Sequence, residues 1–131
     1  MSIRQSIRER IQAVSEVSSI AGGRVFWQRQ PSEADTPCIV YTITGGGFGE
    51  IDSCDQSGPD SVDVAWYAVS ADAEEAIALQ AAVVASLRGA TWNKAGTQVT
   101  MCRMTAQLGD DWIEAEQSQV YVCGAAMEVT Y

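Results

Sequence analysis

The chain contains no histidine. That removes the imidazole base on which Ser-His and Cys-His nucleophilic sites depend. It also removes a main zinc ligand, and the four cysteines, at 38, 54, 102 and 123, have no metal-pair spacing. Neither a metal nor a cofactor is expected. Basic residues are scarce: eight lysines and arginines face seventeen acids, for a net charge of −9. Such a chain does not grip a phosphate backbone over a broad face, which argues against a nucleic-acid reader. No run of eighteen apolar residues is present, so no membrane helix is expected. The opening MSIRQSIRERIQAV has no apolar signal-peptide core. The expected setting is therefore the reducing cytoplasm, where cysteines act as small hydrophobes. Cys54, in a polar stretch, is the candidate exposed thiol.

What remains fits one globular domain spanning residues 1–131. Its organising stretch runs from Ser61 to Gly89. Val62, Val64, Trp66 and Ala68 alternate, as a strand with one well-buried face does. Ala76, Leu79, Val83 and Leu87 then recur at three and four, the buried stripe of a helix. Ser70 or Asp72 can cap that helix, and Asp72 with Glu75 has capping-box spacing. Gly89 is placed to stop it.

Around this unit the same reasoning predicts a first helix over residues 3–20, built on Ile3, Ile7, Ile11, Val14 and Val17. Arg4, Arg8 and Glu9 lie on its other face, either as a solvated surface or as a basic face for a partner. Residues 1–30 carry a net +3 while the rest of the chain carries −12, counted from their named charges. Arg24 to Trp27 reads as a short edge strand, and Pro37 opens a strand over 38–43. Residues 90–96 read as a turn-rich link, and 97–108 and 119–131 as strands joined by an acidic turn at 109–116. The expected fold class is α+β: a mainly antiparallel sheet of about four strands with two helices packed on one face.

Thr44 to Asp60 is long for a bare connection. Its glycines lack the Lys-Ser/Thr of a phosphate loop, and its aspartates lack EF-hand spacing. It reads as an arm with an apolar tip at Phe48 and Ile51, reaching a neighbour or simply solvated. The adjacent Asp110 and Asp111 fall in the expected acidic turn. Nothing places two carboxylates across a cleft, so an enzyme is not expected.

Taken in order, these pieces resemble the tail terminators of long-tailed bacteriophages, a family of small tail-completion proteins. The resemblance rests on the isoleucine helix leading to Gly22-Gly23-Arg24-Val25-Phe26 and on Asp35-Thr36-Pro37-Cys38-Ile39-Val40-Tyr41. It continues through Val62-Asp63-Val64-Ala65-Trp66-Tyr67, the alanine-rich helix ending Leu87-Arg88-Gly89, and Asp111-Trp112-Ile113-Glu114 with the closing strand. It implies a structural virion protein, assembled in the host cytoplasm and lodged at the neck end of the tail. Six copies would form a ring on the tail tube protein, stop its growth and meet a head-tail connector or adaptor, with DNA only passing through. A closed ring needs two different complementary surfaces on each subunit. Phe48, Ile51, Trp112 and Ile113 are the apolar candidates for them, with Trp112 and Ile113 alternatively covering the end of the core. Glu50, Asp52, Asp55, Asp110, Asp111, Glu114 and Glu116 are candidates for an acidic channel lining that repels DNA. The rival readings are a head-tail connector or other neck protein and, more remotely, a cytoplasmic small-ligand-binding protein.

Overall fold

The computed structural model describes residues 3–27, 37–46, 61–115 and 118–131, with only the backbone described at Gly46, Glu114, Ala115 and Ser118. The expectations placed on Phe48, Glu50, Ile51, Asp52, Cys54, Asp55 and Glu116 lie outside the described residues.

The predicted first helix is two helices, α1 (Ile3–Gln12) and α2 (Ser15–Ala21). Val14 between them adopts extended dihedrals (φ −68°, ψ 127°) yet stays buried. The apolar stripe therefore continues across the break: Ile7, Ile11, Val14, Val17 and Ala21 all belong to the core. A β-branched valine followed by serine is a weak helix interior. The break lets α1 lie on a distant hairpin while α2 packs against α3 (Ala73–Leu87).

The sheet is mixed and five-stranded, in the order β1-β2-β3-β7-β6. The strands are β1 (Val25–Trp27), β2 (Cys38–Gly46), β3 (Ser61–Ser70), β6 (Met101–Ala115) and β7 (Ser118–Thr130). A separate two-stranded hairpin joins β4 (Trp92–Lys94) to β5 (Thr97–Val99). All pairings are antiparallel except β1 with β2, which is parallel. The α+β expectation holds, but with three helices and seven described strands in place of two and four.

Three strand expectations are corrected. The link at 90–96 contains β4, which turns into β5 through Ala95 and Gly96, both at positive φ (53° and 75°). A two-residue turn of that hand matches the twist of a hairpin. The strand expected over 97–108 breaks at Thr100, whose N–H and hydroxyl both reach Thr130 O (2.8 and 3.2 Å). The acidic turn expected at 109–116 is mostly strand, because the β7 ladder carries β6 on to Ala115.

The core lies between the helices and one face of the sheet. Trp66, Leu79, Val83, Leu87, Ile7 and Met127 are its large, fully buried members. Burying each such side chain contributes about 1.5–3 kcal/mol. The cap of α3 works through a relay: Asp72 accepts from the Glu74 N–H, while Ser70 accepts from the Asp72 N–H and donates to Glu75. Trp92, buried on α1, donates through Nε1 to Ser6 Oγ (3.0 Å). The opposite face of the sheet carries a smaller apolar cluster of Cys38, Val69 and Val120, flanked by Phe26, Val40, Tyr67 and Val122. Among the described residues no helix is long and apolar enough to cross a membrane.

At Gly124 the middle of the sheet closes tightly. A Cβ there would lie 2.7 Å from Trp66 C and 2.8 Å from Tyr67 Cα. The bare backbone lets β3 and β7 approach, and the Gly124 carbonyl accepts from Gln80 Nε2 of α3 (2.7 Å).

Candidate functional site

The features able to act lie at the two edges of the sheet. The first edge is β6, fifteen residues long and, among the described residues, paired on one side only. Two bulges interrupt its ladder, between Met104 and Ala106 and between Gly109 and Asp111. At the second, Gly109 (φ 71°) and Asp110 (φ 86°) both take the left-handed conformation. A bulge adds a residue and re-aims the side chains beyond it. Here the Tyr121 hydroxyl donates to Asp110 Oδ1, and Trp112 packs edge-on against Tyr121 (5.3 Å between centroids). Asp111 Oδ1 accepts from the Trp112 N–H (2.8 Å).

Trp112 is 46% exposed and Ile113 is 52% exposed. Asp110 and Asp111 are exposed beside them, and Glu114 is the next-to-last residue of β6. The register pairs Trp112 with Tyr121 and Ile113 with Val120, so successive residues fall on opposite sheet faces. Trp112 shares the face of the helices and Ile113 the other. Beside this edge an open cleft of about 610 Å³ runs between α3 and β6, with Gln80, Val84, Arg88, Met104 and Gln107 among its lining residues.

The second edge is β1 with α1 above it. The Arg4 guanidinium sits 4.4 Å from the centroid of the Trp27 ring, a cation–π contact. Trp27 in turn meets Tyr41 edge-on at 5.2 Å, and the Tyr41 hydroxyl donates to the Arg4 carbonyl (3.0 Å). Arg8 Nε donates to Val25 O (3.2 Å), and Arg24 Nε donates to Pro37 O (3.0 Å). These contacts hold the guanidinium groups in place without neutralising them. An ion pair joins Arg103 to Glu128, on the far side of the sheet. A groove of about 440 Å³ is lined here by Arg4, Arg8, Phe26, Trp27 and Tyr41, with no acid among its described lining residues. The i,i+4 arginines opposite the isoleucine stripe are the sequence signal for this surface. Its aromatic half depends on the parallel β1–β2 pairing and has no such signal.

Among the described residues thiol chemistry has little support. Burial pushes the Cys38, Cys102 and Cys123 thiols up to about 11. A thiol held neutral at physiological pH is a poor nucleophile. Among the described residues no group of three cysteine or carboxylate side chains is arranged to hold a metal.

The architecture is an α+β sandwich with two dissimilar exposed edges. No protein-family model matches the chain, and no curated protein sequence matches it. Among solved structures it is similar to a chain described as "Virion of native gene transfer agent (GTA) particle". The likeness covers 98% of each chain with a TM-score of 0.66 at 13% identity. It shows a shared fold over the whole length.

Proposed function

We propose that this protein is a non-enzymatic structural subunit of a phage-like virion. Copies form a ring, six-membered by the family resemblance, at the head-proximal end of the tail tube. The ring stops tube polymerisation and offers the surface on which the head connector docks. The observation that carries this reading is the end-to-end fold likeness to a chain of a gene transfer agent virion. It agrees with the tail-terminator resemblance read from the residues, and the two dissimilar sheet edges are what a closed ring of identical subunits requires. The acidity of the chain suits a passage for DNA, since a negative lining does not bind phosphates.

Electron microscopy of particles made without this chain tests the reading. Tails of uncontrolled length, unattached to heads, are the expected result. Normal-length tails left unattached would make the protein a connector and not a terminator. Intact particles would refute a neck role altogether.

A further inference from the structure

We propose that neighbouring subunits join edge to edge, the acidic end of the β6–β7 hairpin of one copy seating in the Arg4–Arg8–Trp27 groove of the next. This rests on the ring reading above and adds the contact that makes the ring. Four observations carry it.

The two surfaces occupy opposite edges of the same sheet, the arrangement a head-to-tail ring needs. They also stand at the same height. Val25 pairs with Ile39, Ile39 with Ala68, Ala68 with Cys123, and Cys123 with Gly109. Asp110 and Asp111 therefore lie level with the start of β1, across the full width of the sheet. A ring whose axis runs roughly along the strands brings them together.

The charges are complementary. The groove carries Arg4 and Arg8 with no acid among its described lining residues. The hairpin edge carries Asp110, Asp111 and Glu114 with no base from 109 to 116. Opposite charge across an interface steers docking and fixes register.

The apolar parts match by face. Trp112 lies on the helix side of its sheet, as Trp27 does in the groove. Ile113 lies on the other side, as Phe26 does. Trp112 is exposed and Trp27 and Phe26 are half-buried, and aromatics beside charges are the usual anchors of an interface.

Finally, β6 is a long edge strand with no strand paired on its outer side among the described residues, its Cys102 carbonyl alone being taken up by the Gly89 N–H (2.8 Å). An uncovered edge of that length is a hazard in a free protein, and a second copy covers it. On this assignment Asp110 and Asp111 serve the subunit contact. The acids of residues 50–60 are left as the candidates for the channel.

Charge-exchange variants of the full chain, followed by sedimentation velocity and native mass spectrometry, test the contact. R4E/R8E makes both edges acidic, and D111K/E114K turns the hairpin edge basic. Asp110 stays because it holds the bulge. The wild-type chain is expected to form a closed oligomer that weakens as salt rises. Each variant alone is expected to associate roughly 30-fold or more weakly. An equimolar mixture is expected to restore the oligomer, with an even copy number and the two variants alternating. If loss of the Arg8–Val25 hydrogen bond loosens β1, Arg4→Glu paired with D111K/E114K carries the same test.

Variants that assemble alone as well as the wild type would overturn the pairing. So would a mixture that stays monomeric, or a wild-type chain that never self-associates. If the pairing fails while particles lacking the chain still grow runaway tails, the proposed function stands. If those particles are intact, the function falls whatever the purified chain does.

Discussion

Replacing Gly124 by alanine tests the centre of the fold most sharply. The new methyl carbon has to occupy space held by the Trp66 carbonyl group and the Tyr67 Cα, which are backbone atoms of the adjacent strand. A flexible side chain could swing aside, but β3 cannot, because it is paired along its length to β2 and β7. The strands must part, and the Gln80–Gly124 hydrogen bond that ties α3 to the sheet is disturbed with them. Overpacking costs about 1–3 kcal/mol where side chains can adjust, so here at least about 3 kcal/mol is expected. For a chain of this size that lowers the melting temperature by roughly 10–15 °C. Gly89→Ala is the control. Gly89 has φ 70° and nothing within 4 Å of its notional Cβ, so only left-handed strain of about 1–2 kcal/mol applies. Thermal unfolding followed by circular dichroism measures both. If Gly124→Ala melts no lower than Gly89→Ala, the placement of Gly124 opposite Tyr67 is wrong, and the sheet register with it.

Ser6→Ala should cost about 1–2 kcal/mol by leaving the buried Trp92 Nε1 without its acceptor; an unchanged chemical-denaturation midpoint would contradict the docking of α1 on the β4–β5 hairpin. Trp112→Ser and Ile113→Ser should leave the melting temperature of the monomer nearly unchanged, since both side chains are about half exposed, while oligomer formation is lost; a destabilised monomer would return both residues to the core. Stability should fall as pH rises from 9 towards 11. The unfolded thiols ionise first, near their ordinary value of 9.0, while burial holds the folded ones protonated up to about 11. A folded chain whose Cys38, Cys102 and Cys123 react with a thiol reagent at pH 8 as fast as the unfolded chain would refute their burial.

The elements legible in the sequence are those in which one period serves one face. The alternation of Val62, Val64, Trp66 and Ala68 and the stripe of Ala76, Leu79, Val83 and Leu87 give β3 and α3 within a few residues, because each buries that face on the other. The closing strand is legible for the same reason. What escapes is set by tertiary pairing. Val14 keeps the helical apolar spacing while breaking the helix, so periodicity alone cannot reveal the break. Gly109-Asp110-Asp111 has the composition of a turn, and only its β7 partner turns it into a bulge in a continuing strand. Trp92 and Trp27 each belong to a three-residue strand, too short to show any period. The site divides in the same way. The acids and apolar residues of the hairpin stand out in the sequence, whereas the groove that complements them exists only after β1 pairs with β2 and α1 lies over it.

The proposed ring of this chain occupies one place in a particle. Cryo-electron microscopy of particles carrying a tagged copy of the chain tests it most directly. The expected image is a single ring of six at the junction of tail tube and head connector, with the β6 edge of each subunit against the α1–β1 edge of the next. Density for the tag elsewhere on the particle, or no ring at that junction, would contradict it.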